Sequence, residues 1–455
     1  MSAAYDAGAG QPGEACCWVK SAVLFPDTYS VNAAGRMSVG GCDLSDLAQE
    51  YGTPLYVYDE ATLRGRIAEF RDTLKSTYPG ESLLLYAGKA FLTKQVAKLV
   101  AEEGAGLDLV SGGELYLAKQ AGFPMERVFF PGNNKSLEEV EMAAEYGIGA
   151  LVVDSLTEIE MLSSMDPGRG LRCTLRVSPG IQPDTHSFIS TGQLDSKFGF
   201  PVETGQALET LRRLMAVPAA VVTGVHAHIG SQIFDLSSYP AAAERVLDFL
   251  VQARDQLGFT ARELSMGGGL GIAYTSDQQP PRPSDFVHVV ADAVNEGASQ
   301  RGLRLPRLLI EPGRSIAGPA AVAVYTVGAI KEIAGVRTYV SVDGGMGDNI
   351  RPKLYGSRYE AYKVDAPDAE RTTTVTIAGR YCESTDILIK DAEMPPLATG
   401  DLLALPANGA YSLAMASNYN YNTRPAVVMV RDGRARLIRR RETYDDLLLT
   451  EVSDL

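Results

Sequence analysis

The sequence predicts an α/β protein: a TIM-like (β/α)8 barrel followed by a second, all-β domain at the C-terminal end. Three observations carry this expectation. Between residues 82 and 314 eight short apolar runs recur, each closing on small or polar residues. The segments between them are patterned as helices, and after residue 315 the pattern changes to β-rich runs broken by Gly, Pro and Asp. The expected division is a flexible tail over 1–20, a segment over 21–50 that packs with the β-domain, the barrel over 51–314 and the β-domain over 315–455.

The early stretch "GRMSVGGCDLSDLAQEYGTPLYVYDE" has a strand-like start and then a short helix pattern. It is expected to pair with the C-terminal sheet before the chain enters the barrel. The eight candidate barrel strands are "SLLLYAGKA", "GLDLVSGGE", "RVFFPGNN", "ALVVDS", "CTLRVSPG", "GVHAHIGS", "ELSMGGGLG" and "RLLIEPGRS". Intervening segments such as "LTKQVAKLVAEEG" and "SLEEVEMAAEYG" repeat apolar residues at three and four and stop at a glycine, the signature of amphipathic helices. Beyond the barrel, "AVAVYTVGAI", "RTYVSVDGG", "TTTVTIAG", "DILIKD", "DLLALP" and "PAVVMVRDG" read as strands. The basic run "RARLIRRRE" alternates with apolar residues and is read as a strand with a solvated face rather than a polyanion site.

Composition narrows the function classes. The chain is 45% hydrophobic and 22% charged, and no apolar run approaches the ~18 residues of a membrane span. With 42 basic and 56 acidic residues its net charge is −14, so nucleic acid and anionic membrane are poor partners. The first twenty residues carry no basic residue before Lys20 and no apolar core of a secretory signal, which predicts a cytoplasmic protein. Five cysteines at 16, 17, 42, 173 and 382 form no C-x-x-C pair, so neither a disulfide framework nor a zinc knuckle is expected.

In a barrel of this kind the C-terminal strand ends line the working face. Here they carry Lys89 after the first strand, Asp108 in the second, His226 and His228 on the sixth, "GGGLG" after the seventh, and Glu311 and Arg314 after the eighth. A lone lysine at a strand end is ordinarily solvated. In a partly desolvated site its pKa falls, and the amine can form a Schiff base with a carbonyl. The glycines at 267–269 and 271 allow backbone amides to approach a phosphate, with a following helix start adding its dipole. His226 and His228 share a strand face. They lack the further ligands a metal centre needs, and a flat imidazole can instead pack on an aromatic cofactor or sit hydrogen-bonded in the core. Glu311 needs a cation at the end of an apolar strand. A protonated pyridine nitrogen is one, and it makes the ring an electron sink. Arg314 offers a planar fork for a carboxylate.

Ten ordered motifs then point to one family: "YAGKAF", "LDLVSGGE", "GNNKS", "FISTGQLDSKFGF", "HAHIGSQIFD", "GGGLGIAY", "IEPGRSIAGP", "YVSVDGGMGDNIRPKLYG", "GRYCESTDIL" and "GAYSLAMASNYNYNTRP". From about residue 35 onward the chain resembles the diaminopimelate decarboxylases, fold-type III pyridoxal 5'-phosphate (PLP) enzymes related to ornithine decarboxylase and, in the barrel, to alanine racemase. The resemblance implies PLP-dependent loss of carbon dioxide from the D-centre of meso-2,6-diaminopimelate to give L-lysine. It implies that Lys89 holds the cofactor covalently, His228 stacks on its ring and Glu311 contacts the ring nitrogen. Asp108 is assigned to the cofactor site. Ser231, Gly268, Gly269 and Gly271 would surround the phosphate, with Tyr411 closing the site. Arg314, Arg351 and Tyr355 would hold the distal carboxylate and Glu383 the distal amine, beside Cys382 as proton donor. In the family Cys382 and Glu383 come from the neighbouring subunit, which implies a homodimer with shared sites. Three positions depart from the common pattern: Phe91 where many relatives have asparagine, Ser265 where aspartate is common, and Gly347 where serine is frequent.

Competing readings are a fold-type III decarboxylase of ornithine, arginine or a secondary-metabolism amino acid, an amino-acid racemase, a metal-dependent barrel hydrolase, and a catalytically inactive binding protein of the decarboxylase fold. The "CES" segment with Arg314 and Arg351 argues for diaminopimelate. A lid is expected in the Gly-, Pro-, Ser- and Asp-containing stretch 180–197, which also holds His186, a residue given no role.

Overall fold

A computed structural model describes residues 23–181 and 196–452. The expected tail over 1–20, His186 and most of the expected lid lie outside the described residues.

All eight predicted strands form. In chain order they are Ser82–Ala87, Gly106–Asp108, Val128–Phe130, Ala150–Val153, Leu171–Ser178, Ala220–His226, Glu263–Ser265 and Arg307–Ile310. Each pairs in parallel with the next, and the eighth closes on the first through Leu308 opposite Ser82 and Ile310 opposite Leu84. Helices start close behind several strands because serines cap them. Ser111 accepts from the amide of Glu114, Ser155 from that of Glu158, and Ser136 forms a reciprocal box with Glu139. Gly147 ends the helix Leu137–Tyr146 in the left-handed conformation that the sequence pattern foretold.

Strand periodicity divides the barrel into a helix-facing layer and an interior. Leu84 and Tyr86 of the first strand pack in the main core, whereas Leu85 joins Phe129, Ala150 and Leu309 in a separate cluster. Alternate residues continue that inward set toward the C-terminal mouth, taking in Ala87, Asp108, His226 and Glu311 around one cavity. Leu85 and Leu309 thus form an apolar floor beneath Ala87 and Glu311, two positions further along the chain.

The β-domain is a sheet whose order runs Ile387–Met394, Thr373–Ala378, Arg337–Val342, Ala321–Ile333, Leu55–Asp59, Ala426–Arg431 and Arg434–Arg439. The early strand Leu55–Asp59 lies within the span expected for the barrel, yet it is seated between Ala321–Ile333 and Ala426–Arg431, with all five residues buried. This is the pairing expected for the stretch 35–60, so the barrel begins after this strand rather than at residue 51. Asp59 then caps the helix Glu60–Thr77 by accepting from Thr62, and Phe70 of that helix meets Phe286 of the barrel edge-on at 6.2 Å. Upstream, Leu24, Met37, Val39 and Leu44 form a second core with Val322, Val324, Val428 and Val430 of the sheet. The basic run is the strand Arg434–Arg439, and Arg436 and Arg431 both pair with Glu60.

Candidate active site

At the C-terminal mouth of the barrel, a cavity of about 460 Å3 collects Lys89, Asp108, His228, Ser231, Gly269, Glu311, Arg314, Arg351, Tyr355 and Tyr411. A wider groove of about 1580 Å3 crosses the β-domain along 385–394 but includes neither Lys89 nor the glycine turn. The chemistry is concentrated in the smaller space.

Lys89 sits in a single tight helical turn, Gly88–Ala90, directly after the first strand. Its side chain opens into the cavity, which Asp108, Arg176, Glu311 and Tyr411 also line. Burial pulls its pKa down, as expected from the sequence, but Asp108, Tyr411 and Glu311 outweigh burial and leave it raised. The expected depression is therefore corrected: without a cofactor, Lys89 is an ammonium held by acids. Asp108 shows the complementary effect. Burial, then repulsion from Glu311, carries its carboxyl up to about 8, although Lys89 draws it back.

Glu311 behaves differently. Burial opposes its ionisation, yet His226 and Ser265 hold it down at about 2. His226 Nε2 lies 3.0 Å from one carboxylate oxygen, and the Ser265 hydroxyl donates to the other at 2.6 Å. Ser265 in turn accepts from the amide of Gly267 at 3.2 Å. His226 is thus the hydrogen-bonded core histidine, and Ser265 gives Glu311 a neutral donor where an aspartate would place a second acid. The sequence left that use open for the histidines, whereas no role was assigned to Ser265. The period-two pattern that brings 226, 265 and 311 to the inner face was the available signal.

Replacing Ser265 by alanine is expected to cost about 1–2 kcal/mol in unfolding free energy at neutral pH, because one buried carboxylate oxygen loses its donor. Glu311 has a depressed pKa, so its contribution is complete above the ordinary value of ~4.3 and fades as pH falls toward about 2. The difference between the two proteins in denaturant titrations should hold from pH 8 to pH 5 and shrink below pH 4. A constant difference through the acid range would remove Ser265 from control of Glu311.

The glycine turn is required by packing. A Cβ on Gly268 would lie 2.2 Å from the Glu311 carbonyl oxygen, and one on Gly269, where φ is +114°, would lie 2.4 Å from that of Gly230. No helix starts there, contrary to expectation: the chain runs irregularly to the helix Pro283–Gln300, so no dipole adds to the turn. The amide of Gly268 donates to Nδ1 of His228 at 3.3 Å, fixing that ring against the turn. Burial, with Lys89 and Arg176, keeps His228 well below its ordinary pKa, so it is a neutral imidazole.

Arg314 reaches Ser231 through Nη2 at 2.9 Å and Tyr274 through Nη1 at 2.6 Å. Arg351 lies 4.9 Å from the Tyr274 ring centroid and donates to the Tyr359 hydroxyl at 2.9 Å. Burial pushes the Tyr274 phenol up, but the two guanidiniums more than offset it and leave it below the ordinary tyrosine value. Tyr274, the last residue of "GGGLGIAY", was not singled out in the sequence. It links both arginines, and neither has a carboxylate partner among the described residues. Tyr411 enters from the β-domain with φ +59°, a strained conformation for a bulky residue, and its amide donates to the Ala90 carbonyl beside Lys89. Arg314 lies 4.7 Å from its ring centroid.

Cys382 and Glu383 stand apart. Both are exposed on the turn before Ile387–Met394 and outside the cavity, with the Cys382 amide donating to Asn420 and Glu383 accepting only from its neighbours Ser384 and Thr385. No group of three or more His, Cys, Asp or Glu residues that could hold a metal occurs among the described residues. Nor is any described helix long and apolar enough to cross a membrane.

These residues fit PLP. Asp108 Oδ1 and His226 Nδ1 are buried without a hydrogen-bond partner among the described residues, and an ionised Glu311, a lysine amine and a neutral imidazole face one cavity. The cavity therefore offers an amine for an aldehyde, an anion for a ring cation and donors for a phosphate.

Residues 61–318 match the model of the family described as pyridoxal-dependent decarboxylase, pyridoxal binding domain. The chain is 46% identical to the diaminopimelate decarboxylase of Bacillus subtilis over 93% of its length and 97% of that protein. It is 41% identical to that of Mycobacterium tuberculosis over 94% of its length and 98% of that protein. It superposes on the crystal structure of diaminopimelate decarboxylase from M. jannaschii in complex with L-lysine with a TM-score of 0.88, at 34% identity, covering 94% of this chain and 98% of that one.

Proposed function

This chain belongs to the diaminopimelate decarboxylase family of pyridoxal-dependent enzymes, and on that premise we propose that it decarboxylates meso-2,6-diaminopimelate at its D-centre. The products are carbon dioxide and L-lysine, the last step of lysine biosynthesis. One observation carries the substrate reading: Arg314 and Arg351, both buried and without a carboxylate partner among the described residues, share Tyr274 in the cavity that holds Lys89. A cavity with one reacting amine needs no pair of guanidiniums unless the substrate brings a second carboxylate.

When bound, PLP supplies an aldehyde for the substrate amine and a ring that accepts the electron pair left as carbon dioxide departs. The chain's residues do the rest. Lys89 would hold the cofactor through its side-chain amine. Glu311, kept ionised by His226 and Ser265, would hold the ring nitrogen, and the neutral His228 would pack on the ring. Gly268, Gly269, Gly271 and Ser231 would hold the phosphate. Arg314, Arg351 and Tyr355 bind the carboxylate of the L-centre, which never reacts, and Tyr411 closes the space between the domains.

The proposal includes a homodimer with shared sites. Cys382 and Glu383 cannot serve the cavity of their own chain from an exposed turn outside it, so a second copy brings Glu383 to the distal amine and the Cys382 thiol proton to the carbon that lost carbon dioxide. A cytoplasmic location belongs to the same reading, supported by the free cysteines 42, 173 and 382, which fit a reducing compartment.

The test is lysine formation by purified, cofactor-loaded protein given meso-diaminopimelate, with ornithine, arginine and L-lysine in parallel. Rejection of the simpler amino acids by a factor of about 10^4 is expected, since each leaves buried polar groups unpaired. Turnover of another amino acid would replace the substrate, and turnover of none would favour the binding-protein reading.

A further inference from the structure

The barrel has a second charged mouth. At its N-terminal end a cavity of about 450 Å3 is lined by Arg172, Arg262, Arg304 and Arg307 together with Glu81, Glu263 and Thr223. It shares no residue with the catalytic cavity. Arg172, Glu263 and Arg307 occupy the starts of strands five, seven and eight, two to four residues before the inward-facing Arg176, Ser265 and Glu311, so the apolar middle of the barrel separates the two ends.

Glu263 organises this mouth. Its side chain is buried, and one oxygen receives Arg172 at 2.8 Å and Arg307 at 3.4 Å while the other accepts from the Thr223 hydroxyl at 2.9 Å. That carboxylate is fully engaged and fixes two guanidiniums. Arg262 and Arg304 line the same cavity from the connections before strands seven and eight, and among the described residues neither makes an ion pair. Four positive charges against two negative leave a local excess of two in a chain whose net charge is −14. A mutually neutralised plug would need four acids. Guanidinium forks gathered in a concavity are instead suited to an oxyanion carrying two charges.

We propose that the N-terminal mouth of the barrel binds a small dianionic oxyanion, with Arg262 and Arg304 as its principal contacts above the Glu263-anchored Arg172 and Arg307. Such a ligand balances the local charge and ties together the connections before strands seven and eight.

The test is calorimetric titration of cofactor-loaded protein at constant ionic strength, with inorganic phosphate in one arm and succinate in the other. Loading the cofactor occupies the phosphate seat at the catalytic end, and the Arg262→Ala/Arg304→Ala double variant separates binding at this mouth from binding of a carboxylate by Arg314 and Arg351. Saturable binding of one anion per chain is expected, weakened at least ~10-fold in the Arg262→Ala/Arg304→Ala double variant. Turnover without added anion should be unchanged in that variant, whose replaced side chains are exposed. Preference for phosphate or for succinate identifies the source of the dianion. Absence of saturable binding in both arms, or equal affinity in the double variant, overturns the assignment.

Discussion

Lys89→Ala should lose decarboxylase turnover by a factor on the order of 10^3 or more while its unfolding transition stays close to that of the parent. The basis is positional. Lys89 lies past the end of its strand, its side chain opens into the cavity, and it makes no hydrogen bond within the described residues that the fold needs. Removing a raised ammonium also changes its acidic neighbours. Asp108, whose carboxyl already stands at about 8, loses the cation that lowers it most, ahead of Arg176, and should bind its proton more tightly still. Borohydride treatment of loaded protein, followed by mass analysis, should place the cofactor on Lys89 in the parent and nowhere in the variant. Retained turnover in Lys89→Ala would remove the covalent role.

The second large effect concerns a residue that the isolated chain leaves idle. Glu383→Ala should lower kcat/KM for diaminopimelate by about 2–4 kcal/mol, or roughly 30- to 1000-fold, with no change in stability. Glu383 is exposed, and among the described residues its side chain bonds only to Ser384 and Thr385, so the fold does not depend on it. Mixing Lys89→Ala with Glu383→Ala distinguishes the two possible architectures. With shared sites, random reassortment should restore roughly a quarter of parental activity, since hybrids regain one intact site. If each chain completed its own site, the mixture would stay as inactive as its parts.

Much of this was legible in the sequence, for identifiable reasons. All eight barrel strands could be located because each short apolar run ends in residues that cannot continue it, and Ser136 with Glu139 marks a helix start by chemistry alone. Lys89, Asp108, Glu311 and Arg314 stand at strand ends, so locating the strands located them. What was missed depends on which residues meet. Leu55–Asp59 pairs with the C-terminal sheet as expected, but an apolar run sets no boundary by itself, and the barrel was begun too early, at 51. Ser265 and Tyr274 are ordinary residue types whose roles come from contact with Glu311 and Arg314. The pKa of Lys89 was misjudged because burial is visible in a pattern, whereas the acids that outweigh it arrive from strands two and eight.

The account's central claim is that the D-centre reacts while the L-centre is only held, and isotopic labelling tests it directly. Meso-diaminopimelate is turned over by the cofactor-loaded protein in deuterium oxide, and the position of deuterium in the lysine is read by NMR. The account predicts L-lysine with a single deuterium at the ε-carbon, which was the D-centre, and none at the α-carbon. Lysine of D configuration would mean that the centre assigned to Arg314, Arg351 and Glu383 is the one that loses its carboxylate, and deuterium at the α-carbon would mean that this centre is not merely held.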